Sequence, residues 1–186
     1  MRAIFLRRRK LGCTSCREIA GYMRTYWHFL NEDRRLANGD GRKVKVGETY
    51  RVEGQPQLCH RGLHASKRLI DALFYAPGPV LCKVQLGGVV VHGDDKAVAT
   101  ERTVLAMADV TDILRAFARK TAAEVWFQHF ERGEHPEVDR WLDSGGDEIA
   151  RSAARSAAWS AARSAARSAA NRRLLEMVRK AQWETA

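Results

Sequence analysis

The stretch VLCKVQLGGVVVHGDDKAVATERTVLAMA, residues 80–108, sets the frame for the rest of the chain. Val80 to Val91 is rich in Val and Leu and reads as a strand, bent or bulged at Gly87-Gly88. His92-Gly-Asp-Asp95 reads as a turn, and Ala97 to Ala108 as a second extended run. Upstream, Pro77-Gly-Pro79 stops a helix over Lys67 to Tyr75, with the Ser66 hydroxyl placed to cap its first turn. Leu58 to Ala65 reads as a short strand entering that helix, Val44 to Val52 has strand character, and Asn38-Gly-Asp-Gly41 is a turn. Thr25 to Leu30 is dense in aromatic and β-branched residues, which favours a strand, although Ile19, Met23, Trp27 and Leu30 also fit a helical face. Downstream, Thr111 caps a helix carrying Ile113, Leu114, Phe117, Val125, Phe127 and Phe130, closed at Gly133. Strands and helices mix without a regular βαβ alternation, so the expected class is α+β.

A tail follows the break at Gly145-Gly146. Arg151 to Ala170 repeats Arg-Ser-Ala-Ala, with Trp159 in place of one Arg. Ala and Arg are strong helix formers, so a helix is expected from Asp147 to about Trp183, roughly 50 Å at about 1.5 Å per residue. Each four-residue step turns roughly 40° beyond a full turn, so Arg151, Arg155, Arg163 and Arg167 form a slowly winding stripe opposite an Ala face. Asp147 and Glu148 at one end and Arg172, Arg173, Arg179 and Lys180 at the other complement the helix dipole. Such a helix serves as a solvated spacer, as an Arg ladder for phosphates, or as a self-association surface anchored by Trp159. The expected organisation is a basic extension over 1–22, an α+β domain over 23–143 and the Ala/Arg-rich helix over 147–186.

The chain of 186 residues carries a net charge of +10, unevenly placed. Residues 1–45 hold 12 Lys/Arg against 4 Asp/Glu, 147–186 hold 8 against 4, and 46–146 hold 12 against 14. Basicity belongs to the ends, which points to nucleic acid or a nucleoprotein complex gripped by arms around a nearly neutral centre. No run of about 18 apolar residues is present, and no apolar stretch follows the basic run Arg7 to Lys10, so no membrane partner is expected. A cytoplasmic location with reduced cysteines is the default expectation.

The richest chemistry lies in Cys59-His60-Arg61-Gly62-Leu63-His64-Ala65-Ser66. Were the whole segment extended, His60, Gly62 and His64 would share one face. The plain reading is a buried Cys and a His bonded to backbone as structural pins. Two sharper readings are a zinc shell from Cys13, Cys16, Cys59 and His64, and a Cys59 nucleophile with His64 as base. A second cluster, Asp94-Asp95-Lys96 with Glu101, suits a ribose, a metal or a cationic partner, or is a simple turn.

The ordered motifs W-H-F-L (27–30), D-G-R-x-V-x-V-G-E-T (40–49), L-C-x-R-G-L-H-A-S (58–66), D-A-L-x-Y-A-P-G-P-V (71–80) and G-D-D-K-A-V-A-T-E-R-T-V-L (93–105) resemble an uncharacterised family of actinobacterial and phage proteins with Ala/Arg tails. The resemblance spans Trp27 to about Ala118 and implies a fold unit without an assigned activity. It leaves Met1 to Tyr22 outside, with Met23 a candidate start, and favours the strand over 25–30. The element order is also similar to the ADP-ribosyltransferase pattern. That similarity implies His64 or Ser66 at a nicotinamide ribose and Glu101 as the catalytic carboxylate; its first-strand motif is represented here only by His28. The leading expectation is a non-enzymatic, phage-derived accessory protein binding nucleic acid, with Arg151, Arg155, Trp159, Arg163, Arg167, His60, Asp95 and Lys96 as contact residues. An NAD-using transferase and a self-associating structural protein are the alternatives.

Overall fold

Among the described residues, six strands and four helices build a mixed α/β domain in which one sheet carries packing on both faces. The computed structural model describes residues 24–36, 41–128, 130–145 and 167–186. In chain order these are β1 (Thr25–Leu30), β2 (Thr49–Arg51), β3 (Leu63–Ala65), α1 (Leu69–Phe74), β4 (Val80–His92), β5 (Ala97–Asp109), α2 (Thr111–Trp126), α3 (Pro136–Ser144), α4 (Arg167–Val178) and β6 (Glu184–Thr185).

The β4–β5 hairpin is the spine. Each strand has 13 residues, and the register shifts between Lys83 and Val84 and again between Gly87 and Val90. Such bulges bend the ladder and raise its twist. β1 pairs with β4, while the other edge of β5 takes β3 at Ala97–Ala99, β2 at Glu101–Thr103 and β6 at Ala106–Met107. The curl then closes: Trp27 and Ser66 exchange backbone hydrogen bonds of 2.8 and 2.9 Å, so β1–β4–β5–β3 returns on itself.

Alternation along β1 sends its side chains to two cores. Phe29, with Leu81 and Ala108 beside it in the ladder, packs under α1, α2 and α4 through Leu69, Ile70, Phe117, Leu174 and Val178. Tyr26 and Leu30 face the other way, with Val80, Cys82, Val84, Val104 and Met107, under Leu36, Val44, Tyr50 and Leu63.

Several sequence expectations need correction. Ser66 does not cap a helix; it is buried in the bridge to Trp27, and α1 begins at Leu69 after Arg68, which makes no side-chain cap. Instead Asn171 Oδ1 on α4 accepts the Ile70 N–H at 3.1 Å. Residues 58–60 form a turn, not strand, so His60 leaves the face expected to hold His64. Strand β2 itself covers only Thr49–Arg51, flanked by backbone hydrogen bonds from Gly47 and Val52 to β5. The Thr111 helix ends at Trp126, and Asp109 Oδ1 accepts both the N–H and the hydroxyl of Thr111.

The tail also departs from a single helix reaching Trp183. Helix α4 stops at Val178, and the chain turns into β6 along β5. Ala170, Leu174 and Val178 are buried in the helix-side core, and Trp183 lies over Lys83, whose Nζ is 4.0 Å from the ring centroid. Residues 167–186 therefore complete the domain. Most of the Ala/Arg repeat, including Arg151, Arg155, Trp159 and Arg163, lies outside the described residues, as do Cys13 and Cys16.

Candidate anion site

His28 and Arg102 form the most unusual polar arrangement of the interior. His28 lies opposite Cys82 on β4, and Cys82 lies opposite Met107 on β5, so all three share the face that bears the second core. Arg102 stands opposite Leu86 on one side and Tyr50 on the other, two steps along β5 from Val104, and points to the same face. Its exposure is 2%, unusual for Arg. Nη1 donates to the His64 carbonyl oxygen at 2.9 Å, and Nε is buried with no acceptor.

The surroundings of that cation are held uncharged. Burial lowers the His28 imidazole well below its usual range, and the nearby Arg102 charge and His64 push the same way. Burial raises the Cys82 thiol to about 12, against a smaller opposing pull from Arg102 and Arg34. The Tyr50 hydroxyl is already engaged, accepting from the Lys45 N–H at 2.8 Å and lying 2.7 Å from Glu48 Oε2. Burial brings Arg102 itself down to about 10, still cationic at neutral pH.

His64 has a different task. Its Nε2 accepts the Cys59 N–H at 3.1 Å, which fixes the proton on Nδ1. The ring thereby pins a turn in which Cys59 has φ 67° and Gly62 φ 120°. Burial lowers its pKa, with Lys96 acting in the same sense and a bond to the Gly62 backbone opposing. This agrees with the histidine half of the plain reading; the other half is corrected, because Cys59 is exposed and not buried. Both imidazoles sit below their unfolded value of about 6.5, so the fold binds fewer protons than the open chain. Stability should be intact above pH 6.5 and fall as pH drops through it. Urea midpoints at pH 7.5 and 5.5 check this, and His28→Gln should shrink the difference.

The remaining candidates fall into three places. Cys59, Asp95 and Lys96 meet around Tyr75, whose hydroxyl donates to Asp95 Oδ2 at 2.6 Å and whose ring lies 4.0 Å from Lys96 Nζ. Burial pulls the Lys96 ammonium down, but hydrogen bonds to Cys59 and Tyr75 outweigh it and hold its pKa raised. His60 is exposed on the neighbouring turn. Glu101 precedes Arg102 on β5 and so points to the opposite face, where Arg51 Nε donates to its Oε1 at 3.0 Å. Ser66 is buried at the bridge to Trp27. Among the described residues no group of three His, Cys, Asp or Glu could hold a metal ion, and no helix is long and apolar enough to cross a membrane.

Sequence reading passed over Arg102 and gave His28 only a marginal place. The sole signal was alternation: Arg102 shares its parity with buried Val104, and His28 with buried Tyr26 and Leu30.

A curled sheet with a buried, uncompensated guanidinium defines the class of protein as a mixed α/β domain with an internal polar site. Residues 26–116 match the family model of a domain of unknown function (DUF7666), a segment that runs from β1 through the start of α2. No curated protein and no solved structure matches the chain.

Proposed function

We propose that this is a non-enzymatic accessory protein that binds nucleic acid, alone or in a nucleoprotein complex, through its basic ends. The observation that supports this most directly is the joining of those ends. Arg34 Nη1 and Nη2 donate to Glu184 at 2.9 and 2.6 Å, and β6 runs along β5 beside the loop that holds residues 41–48. Exposed Arg35, Arg42, Lys43 and Lys45 thereby belong to the same assembly as exposed Arg172, Arg179 and Lys180. Two basic segments far apart in sequence act as one phosphate-contacting region, and residues 1–22 add further basic charge to the chain.

The expected result is salt-sensitive and sequence-indifferent binding. Fluorescence anisotropy with duplex DNA should give a log K against log salt slope that flattens by roughly 0.9 for each phosphate contact removed, as in Lys43→Ala or Lys180→Ala. Binding that ignores salt, or that is unchanged when residues 1–22 are deleted and Arg35, Lys43, Arg179 and Lys180 are replaced together, would overturn the proposal. Substitution is the clean test at the C-terminal end, because deleting 167–186 removes core residues.

The NAD-using transferase reading requires Glu101 beside His64. Glu101 is instead engaged by Arg51, and His64 is engaged by the Cys59 backbone, so no described contact favours that chemistry. For self-association, the described end of the Ala-rich helix turns its apolar residues onto its own domain.

A further inference from the structure

Arg102 is a buried cation without a counter-charge. No carboxylate pairs with it among the described residues, and Nε has no acceptor. The side chains that face it are uncharged: His28 from β1, Cys82 from β4 and Tyr50 from β2, with His64 contributing its carbonyl from β3. A guanidinium in such surroundings is expensive to hold unless an anion completes it. Its planar fork matches the oxygens of a phosphate, which accepts more than one N–H at once. His28 is partly exposed and Arg102 almost wholly buried, and the two lie near enough for the Arg102 charge to act on the imidazole. Among the described residues the His28 ring has no hydrogen-bond partner, unlike that of His64, so it can supply a second donor.

We propose that Arg102 and His28 form a binding site for a single phosphate group, carried by a small molecule or by the end of a nucleic acid. Phosphate is favoured over carboxylate because the +10 chain concentrates polyvalent anions around itself. His64 is a positioning residue here: its backbone carbonyl orients the guanidinium, and its ring holds the turn over Cys59. This site is independent of the basic surface described above and uses none of its residues.

The test is the melting temperature of the full chain in inorganic phosphate against chloride and acetate at matched ionic strength, with phosphorus NMR line broadening as a direct readout of binding. Phosphate should raise the melting temperature by several degrees beyond chloride or acetate. His28→Leu, which removes the imidazole N–H without supplying another donor, should weaken the apparent phosphate affinity about tenfold, the usual consequence of losing one charge-assisted hydrogen bond. Arg102→Met, which keeps volume and removes charge, should abolish the shift; should it fail to fold, His28→Leu and line broadening on the native chain decide the matter. The paired variant Arg35→Ala/Lys43→Ala should keep the full response. An equal shift in acetate or chloride, or a response retained in Arg102→Met or unchanged in His28→Leu, overturns the site. Competition by a 5′-phosphorylated oligonucleotide but not its unphosphorylated form would make the source a nucleic-acid end. Competition by neither, with the phosphate response intact, would make it a small molecule.

Discussion

Gly62→Ala is expected to destabilise the domain by about 2–5 kcal/mol, the sum of backbone strain and overpacking. Gly62 has φ 120°, a conformation that L residues rarely adopt. A Cβ there would lie 2.5 Å from Val98 Cγ2, and Val98 is fully buried, so neither atom can yield cheaply. The Ala99 carbonyl and Pro56 would stand 3.2 Å away on other sides. Against a total stability of about 5–15 kcal/mol this is a large fraction, and it strikes where β3 closes the curl. Gly41→Ala separates the two causes. Gly41 has φ 63° but open space around its Cα, so only the left-handed backbone penalty of about 1–2 kcal/mol applies. Urea midpoints for the two variants should differ clearly; equal midpoints would mean that the Val98 contact relaxes.

Leu174→Ala should cost about 2–5 kcal/mol, the usual range for emptying a fully buried leucine site. Leu174 has 0% exposure and belongs to the core that also holds Ile70, Leu81 and Phe117. Arg172→Ala, exposed on the same helix, should change stability by no more than about 0.5 kcal/mol. The comparison asks whether the C-terminal segment is structural or appended. Near-equal effects for the two variants would mean that α4 adds little to the domain, against its buried face.

The elements most legible in the sequence were those with strong local patterning. Val80–His92 and Ala97–Asp109 showed themselves through β-branched runs around a Gly-Gly bulge and an Asp-rich turn, and Thr25–Leu30 through its aromatic density. The site was less legible. The Thr-Glu-Arg-Thr segment drew attention to Glu101, because a carboxylate suggests catalysis; Arg102 looks like any charged residue of a half-exposed strand. Only closure of the curl, with Tyr50 on one side and Leu86 on the other, buries that guanidinium. The Ala/Arg repeat likewise drew attention from Leu174 and Val178, the residues by which the chain end docks.

Local sequence determined that this chain makes a bulged two-stranded spine, a first strand of alternating character and a mixed α/β domain. Periodicity and turn chemistry act over a few residues, and these elements need nothing more. Tertiary structure decided whatever depends on partners distant in sequence. Ser66 became a bridge to Trp27 and not a helix cap, Asn171 took over the Ile70 N–H from across 101 residues, and Glu184 joined Arg34 across 150. Burial and pairing belong to the closed sheet, so no window of sequence contains the environment that leaves Arg102 a buried cation without a counter-charge among the described residues.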